Sequence, residues 1–159
     1  MLTWFTQTTV GKLVATFFIS MLPIVELRGG LPYGIALGLD YSLAVTAAVL
    51  GNLLPVPFII VFIRRVFKWL RGRDEKLDGY ITGLENKAHL KGRKVTKYGP
   101  LALLAFVAIP LPGTGAWTGA LIAAMLDMRL RKAVPAIVLG VIIAALIMSV
   151  LTYGVIHIF

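Results

Sequence analysis

The sequence contains no cysteine, which excludes disulfide bonds, thiol chemistry and cysteine-bound metal. Only two histidines occur, His89 and His157, and they stand in unlike surroundings, so we predict no metal site. The apolar regions hold no Ser/His/Asp set for nucleophilic catalysis, and the glycines at 113–119 lack the GK[ST] ending of a phosphate-binding P-loop. We therefore expect neither enzymatic activity nor a bound cofactor.

Charged residues are also scarce. They make up 14% of the chain, whereas hydrophobic residues make up 58%, a composition that would leave a soluble fold with too much exposed apolar surface. We therefore predict an integral membrane protein with an all-α fold. The formal net charge of +9 could indicate nucleic acid binding, but the basic residues flank apolar segments, as they do in oriented membrane proteins. We expect no nucleic acid partner.

The apolar residues fall into four regions: Val10–Leu39, Ser42–Ile63, Tyr98–Leu126 and Pro135–Phe159. The second and fourth are long enough to cross a hydrocarbon core of about 30 Å. The first is broken by PIVELRGGLP at 23–32, and the third by PLPGTGAWTG at 110–119. The sequence therefore predicts two unbroken transmembrane helices and two interrupted apolar segments.

The basic residues decide whether the interrupted regions cross the membrane. Arg64 to Lys97 holds eleven Lys or Arg residues and is predicted to be cytoplasmic, with an amphipathic helical part that lies on the membrane surface. If 98–126 turns back as a re-entrant hairpin, Arg129, Arg131 and Lys132 are cytoplasmic too. We therefore predict a multi-pass protein of the plasma (inner) membrane that forms one domain over 1–159: a first repeat (1–63), a cytoplasmic segment (64–97) and a second repeat (98–159).

Each half is predicted to contain a re-entrant helical hairpin followed by a transmembrane helix. Pro23 aligns with Pro110, and Leu39-Asp40 with Leu126-Asp127, at one common offset. Because one full crossing separates the halves, the second half is predicted to be inverted relative to the first. Inverted repeats whose broken helices meet near the midplane are a recurrent plan in transporters.

Glu26 and Arg28 are charges at membrane depth, where charge is costly and usually functional. Because Gly29 and Gly30 follow directly, we expect the backbone to unwind and the pair to converge on a cavity. The structural alternative is an ion pair that locks the hairpin tip, but a buried pair is a poor source of stability. We favour a functional site, with Glu26 as the proton-exchanging group.

Two half-helices are predicted to begin at the breaks, one near Leu31-Pro32 with proline in its first turn, and one near Thr114, which would serve as N-cap. Free N–H groups at such ends bind anions, and Arg28 adds a guanidinium suited to phosphate or carboxylate. The structural alternative is that both breaks are merely tight turns. The complete set of candidate substrate-binding residues is Arg28, Gly29, Gly30, Pro112, Gly113, Thr114, Gly115, Trp117 and Asn52.

Some of these candidates have an equally good structural interpretation. Asn52 would either line the cavity or bond a neighbouring helix, and Trp117 would either wall the site or pack as an ordinary aromatic side chain. Glycines recur at a spacing of four residues, at 30, 34 and 38 and again at 115 and 119, as in close helix packing. Because the chain is short and exposes these stripes, we expect a homodimer.

The motifs E-L-R-G-G-L-P and P-L-P-G-T-G-A-W-T-G resemble the two signatures of the putative small multidrug export protein family, which is similar to the DedA/VTT membrane proteins. The resemblance covers nearly the whole chain and implies opposed re-entrant hairpins and a transport role. It implies site positions at Glu26, Arg28, Pro112, Gly113 and Thr114. The DedA relatives imply recycling of undecaprenyl phosphate and dependence on the proton gradient, although Thr114 stands where that pattern has an acidic residue.

Three functions remain open. The first is a lipid flippase-type transporter for an anionic lipid such as undecaprenyl phosphate, coupled to protons through Glu26. The second is a proton-coupled small multidrug exporter of cations, although Arg28 would repel such a substrate. The third is a membrane scaffold that acts through the basic segment. We favour the first, with membrane lipids and an anionic lipid or small molecule as partners.

Overall fold

The computed structural model describes residues 7–70, 79, 82, 83, 86, 99–111 and 113–158. Its helices are α1 (Thr9–Ser20), α2 (Glu26–Ala36), α3 (Tyr41–Leu53), α4 (Pro55–Leu70), α5 (Pro100–Ala108), α6 (Ala116–Met125) and α7 (Leu130–Ile158). The described residues form helices, turns and short connections without strands. The prediction of an all-α fold is therefore confirmed for this part of the chain.

Two helical stretches are long and apolar enough to cross a membrane. They are Tyr41–Trp69 and Leu130–Thr152, whose most apolar 18-residue windows have mean hydropathies of 2.2 and 2.8. The first comprises α3 and α4, which separate at Leu54, directly before Pro55, as expected for a helix kinked by proline. Each helix of the pairs α1–α2 and α5–α6 has at most 12 residues, about 18 Å, and is too short to cross alone.

Two predicted helix starts are wrong. Helix α2 begins at Glu26, whose φ of 50° turns the chain into the helix, and Pro32 lies inside α2 instead of in its first turn. Proline at this position removes the hydrogen bond that residue 32 would otherwise donate to the Arg28 carbonyl. Helix α6 begins at Ala116, and Gly115 is its N-cap with a φ of 137°. Thr114 does not cap α6, because its hydroxyl is bound by the preceding loop.

The end of α4 contacts the turn between α6 and α7. Arg64 forms an ion pair with Asp127 at 3.4 Å and donates to the Met128 carbonyl. Asp127 adopts a left-handed conformation with a φ of 48°, which Asp tolerates in turns. The first residues of the basic segment thus continue the membrane-length stretch Tyr41–Trp69. Most of the remainder, 71–98, lies outside the described residues, so its amphipathic character and cytoplasmic position stay predictions.

The order of elements repeats along the chain: short helix, break, short helix, turn, long helix. The long helices begin at Tyr41 and Leu130, 89 positions apart, and the left-handed turn residues Gly38 and Asp127 have the same spacing. The sequence motifs gave an offset of 87. At the structural offset, AVTAAVLG at 44–51 lies over AVPAIVLG at 133–140, a stronger match than the residues aligned before.

Equivalent glycines hold equivalent helices together in both halves. A Cβ on Gly51 of α3 would lie 2.2 Å from the Phe17 carbonyl oxygen of α1, and a Cβ on Gly140 of α7 would lie 2.9 Å from the Leu104 carbonyl oxygen of α5. The first short helix of each half therefore packs backbone to backbone against its long helix. Such close approach is the use of small residues in membrane helix packing.

The glycine stripes are partly explained by packing within the chain. Gly30 packs on Ser20, Gly34 on Thr16 and Gly119 on Val107, so the packing prediction is confirmed for these three. Gly38 and Gly115 instead occupy positive-φ positions at a turn and an N-cap. Because the packed glycines are buried between helices of one chain, they are not available as an exposed dimer surface.

We expect Gly51→Ala to destabilise the protein by about 1–3 kcal/mol, because the new methyl group would overlap a backbone carbonyl that cannot rotate away. The measurement is thermal unfolding in detergent. Gly83→Ala is the control, since a Cβ there meets nothing within 4 Å. Equal unfolding temperatures for the two variants would contradict the close packing of α1 on α3.

Candidate functional site

The site forms where the two breaks in the helices meet. The first break joins α1 to α2 over residues 21–25, and the second joins α5 to α6 over residues 109–115. Trp117, near the start of α6, connects them in two ways: its indole N–H donates to the Met21 carbonyl at 3.1 Å, and its backbone N–H donates to a Glu26 carboxylate oxygen, Oε1, at 3.1 Å. The two halves of the chain are thus joined by hydrogen bonds at the breaks.

Glu26 is buried, with 6% of its surface exposed, and it occupies the N-terminus of α6. Helix N-termini present unpaired N–H groups and partial positive charge, which favour a negative group. Because Gly115 has no side chain, the Glu26 carboxylate comes close to the helix backbone: a Cβ on Gly115 would lie 2.0 Å from Oε2. The sequence predicted an anion site at this helix end, and in the structure the protein's own carboxylate fills it.

Arg28 binds the other side of the second break. Its Nη2 donates to the Ile109 carbonyl at 3.2 Å and to Thr114 Oγ1 at 2.7 Å, and its Nη1 donates to the Leu111 carbonyl. These carbonyls follow the C-terminus of α5, where cations are favoured. Thr114 Oγ1 also lies within hydrogen-bond distance of the Ile109 and Leu111 carbonyls and accepts from the Leu111 N–H. Arg28 therefore stabilises the conformation of the loop at Ile109, Leu111 and Thr114.

Glu26 and Arg28 form no ion pair with each other in the described part of the chain. Each instead binds an end of a different helix of the second half: the carboxylate binds the start of α6, and the guanidinium binds the carbonyls after α5. Their spacing of two residues on α2 explains the divergence, since such side chains do not lie on one helix face. The sequence-based alternative of an ion pair at the hairpin tip does not describe this geometry.

A cleft of about 590 Å³ opens beside these groups. Its volume is in the range of sites for small molecules, roughly 300–1,000 Å³. Apolar side chains line much of it, namely Pro23, Ile24, Pro110 and Met148, and polar groups come from Glu26, Arg28, Thr114 and Thr118. This mixture of apolar walls and a few converging polar groups suits an amphipathic ligand.

The predicted site residues separate into three groups in the structure. Arg28, Gly113, Thr114 and Glu26 lie at the cleft. Gly29 and Gly30 face Val25 and Ser20 instead, and Trp117 acts through its two N–H groups. Asn52 and Gly115 line a second, much smaller cavity, and Glu26 lines this cavity as well. Pro112 lies outside the described residues.

Sequence analysis missed the partners of both charges. The acceptors of Arg28 include backbone carbonyls, which no residue type encodes. Of the cleft residues, Thr118 lies within the second motif but was not selected as a candidate, and Met148 lies outside both motifs. One sequence signal was available: AVTAAVLG at 44–51 recurs as AVPAIVLG at 133–140, and at this offset of 89 Glu26 is equivalent to Gly115. A carboxylate in one half therefore faces the equivalent glycine in the other.

We expect Gly115→Ala to disturb the site more than Gly113→Ala. Both residues have a positive φ, which costs a side chain about 1–3 kcal/mol, but only the Gly115 methyl group would overlap the Glu26 carboxylate. Thermal unfolding in detergent should therefore give a lower midpoint for Gly115→Ala. Equal midpoints would contradict the placement of the carboxylate at this helix end.

The described residues define a helical membrane protein in which the breaks between short helices border a small-molecule-sized cleft. The chain belongs to the family described as "Putative small multi-drug export protein", whose model matches residues 26–147. That range begins at Glu26, directly after the first break, and it includes the second break, the stretch Tyr41–Trp69 and most of Leu130–Thr152. No curated protein and no solved structure matches the chain. The family and the two membrane-length stretches together indicate a multi-pass membrane location.

Proposed function

We propose that the protein is a proton-coupled transporter of small anionic amphipathic compounds, a class that includes anionic lipids such as undecaprenyl phosphate. The observation that carries the proposal is the Glu26 carboxylate at the N-terminus of α6, beside Arg28 and a cleft. The negatively charged side chain occupies a helix N-terminus, which favours anions. A substrate with a phosphate or carboxylate group could take that place once Glu26 leaves it.

The charge of the cleft favours an anion over a cation. Glu26 and Arg28 are the only charged residues among the described residues that line it. The site therefore has a net charge of zero when Glu26 is ionised and +1 when Glu26 is protonated, and it is never negative. The partial positive charge of α6 adds to this. A cationic substrate therefore finds no net negative charge in the cleft. An anionic substrate finds a net positive charge once Glu26 is protonated.

Protonation of Glu26 is the coupling step in this mechanism. The ionised carboxylate accepts the Trp117 N–H and holds the α6 N-terminus closed to other anions. A protonated carboxyl is a poorer acceptor for that N–H, so it releases the helix end to the substrate. The anion and the proton then move together, and loss of the proton on the other side restores the carboxylate and expels the substrate.

The finer topology is part of the same proposal. The two helix pairs are re-entrant hairpins from opposite membrane faces, and the repeated halves are inverted, which gives the site access to both sides. The protein resides in the plasma (inner) membrane with 64–97 in the cytoplasm, and two copies associate through exposed apolar surface. The absence of cysteine supports a direct test: single cysteines at the exposed positions 40 and 129, which follow the two helix pairs, should react with a membrane-impermeant thiol reagent from opposite faces of oriented vesicles.

A second candidate function is proton-coupled export of cationic drugs. The family description favours it, because that description names multi-drug export. In this mechanism Glu26 exchanges a proton for a cation, and substrate and proton move in opposite directions. The positive guanidinium of Arg28 beside the cleft is the physical argument against it.

The direction of transport under a pH difference distinguishes the two. The purified protein is reconstituted into vesicles, a pH difference of one unit is imposed, and two probes are followed: a fluorescent short-chain phosphate ester and ethidium. A monoanion that moves with one proton should accumulate in the alkaline compartment by about tenfold, since one pH unit corresponds to about 1.4 kcal/mol. A cation exchanged for a proton should accumulate in the acidic compartment instead.

Protein-free vesicles and vesicles with Glu26→Gln are the controls for passive movement of a weak acid. Phosphate ester accumulation that exceeds both controls supports the anion proposal. Accumulation of ethidium alone would replace it with the cation exporter. If neither probe moves, and a phenotype in cells depends on 64–97 but not on Glu26 and Arg28, the protein is a membrane scaffold.

A further inference from the structure

A small cavity of about 10 Å³ also borders Glu26, and apart from Glu26 and Arg28 it shares no lining residue with the cleft. Its volume corresponds to about one water molecule. Asn52 of α3 lines it, with only 3% of its surface exposed, and the Asn52 amide oxygen, Oδ1, has no hydrogen-bond partner. A buried polar atom without a partner costs free energy comparable to a lost hydrogen bond, so this atom indicates a ligand that the protein atoms do not supply.

The cavity lies between the equivalent parts of the two halves. At the offset of 89, Asn52 corresponds to Val141 and Glu26 to Gly115, and all four residues line it. One half therefore supplies both oxygen-bearing side chains, and the other half supplies Val141 and Gly115, neither of which has a polar side chain. A water molecule between the two polar side chains would have an acceptor on each side, which is the minimum for an ordered buried water.

The chemistry of Asn52 Oδ1 complements the protonated form of Glu26. The N-terminus of α6 offers only N–H donors, which bind the carboxylate. A protonated carboxyl has an O–H that needs an acceptor, and Asn52 Oδ1 is an acceptor without a donor. A water between them can receive the carboxyl O–H and donate to Oδ1, or donate to both oxygens when Glu26 is ionised.

We propose that one water molecule bridges Asn52 Oδ1 and the Glu26 carboxyl, and that Asn52 is the positioning residue for protonated Glu26. This inference rests on the proposed function, because it names the partner of Glu26 in the proton-loaded state. Glu26 then alternates between donors at α6 and a water-linked acceptor at α3. The cleft side is left to the substrate when the carboxyl turns to Asn52.

A sodium ion is the alternative occupant that is small enough for this cavity. It would need more oxygen ligands than two side chains supply, and it would lie beside Arg28, whose positive charge borders the same cavity. Among the described residues that line the cavity, Glu26 and Arg28 are the charged ones, and the rest of the lining apart from Asn52 is apolar or glycine. The charge balance therefore favours a neutral water.

Infrared difference spectroscopy between acidic and alkaline protein tests this without any transported substrate. The carboxyl C=O band of protonated Glu26 is identified by its absence in Glu26→Gln. In Asn52→Leu, which has similar volume without an acceptor, we expect this band to shift to higher frequency, because the hydrogen bond is lost. A water band that shifts in H₂¹⁸O should be present in the wild type and absent in Asn52→Leu. Asn52→Thr, which keeps an acceptor, should preserve both bands.

An unchanged carboxyl band in Asn52→Leu would overturn the inference, as would a wild-type spectrum without a water band that responds to H₂¹⁸O. The latter comparison needs no variant and therefore holds even if Asn52→Leu does not fold. A carboxyl band that changes when sodium replaces potassium would assign the cavity to a cation and also overturn it. Failure of the proposed function appears separately, as absence of phosphate ester transport by a wild type whose spectra are as expected.

Discussion

Replacement of Glu26 by Gln should abolish concentrative transport while the protein remains folded. Gln has nearly the same shape and is neutral like the protonated carboxyl, but it can neither take up nor release a proton. The roughly tenfold accumulation of a monoanion per pH unit should therefore fall to the level of protein-free vesicles. Binding of the phosphate ester should persist and lose its pH dependence, because the variant resembles the protonated form at every pH.

Asp40→Asn is the matched control for this change, since it also neutralises one carboxylate but at an exposed position at the start of α3. It should leave both accumulation and the pH dependence of binding unchanged. Wild-type accumulation in Glu26→Gln would remove Glu26 from the coupling step and end the proposed mechanism.

Replacement of Arg28 by Lys should lower stability and weaken phosphate ester binding, although the charge is kept. The guanidinium reaches two carbonyls and the Thr114 hydroxyl with two nitrogens, whereas an ammonium group is a single point that cannot reproduce this fork. Hydrogen bonds to charged groups are worth about 1.5–3 kcal/mol each, so we expect a loss of at least about 2 kcal/mol. Thermal unfolding and phosphate ester binding are the two measurements.

The control for Arg28→Lys is Arg65→Lys, the same substitution at an exposed position of α4. Thr114 offers a second comparison: Thr114→Ser keeps the hydroxyl that accepts from Arg28, and Thr114→Val removes it at nearly constant volume. We expect Thr114→Val to resemble Arg28→Lys and Thr114→Ser to resemble the wild type. An Arg28→Lys variant as stable as Arg65→Lys would contradict the assignment of Arg28 to the loop.

The sequence predicted the elements well because their signals are local. Apolar length predicted the long helices, and Pro23 and Pro110 predicted the two breaks. The helix starts were harder to predict. Glu26 begins α2 in a left-handed conformation that few side chains adopt, and no signal in the neighbouring residues predicted it.

The site was predicted in composition but not in arrangement. Glu26 and Arg28 were identified by their charge at membrane depth, and Thr114 by its motif. Their partners could not be predicted, because the backbone groups that they bind lie more than 80 positions away in sequence and are the same for every residue type. The two halves were aligned with the wrong offset. Alignment by prolines gave 87 positions, whereas the starts of the long helices and the glycines Gly51 and Gly140 are 89 positions apart.

The central claim is that the Glu26 carboxylate occupies the N-terminus of α6, and solid-state NMR in lipid bilayers tests it most directly. The measurement is the dipolar coupling between the Trp117 backbone nitrogen and the Glu26 carboxyl carbon. At alkaline pH, the coupling should correspond to a hydrogen bond with 3.1 Å between nitrogen and oxygen, and it should weaken when Glu26 is protonated. Absence of any coupling at alkaline pH would place the carboxylate elsewhere and contradict the account.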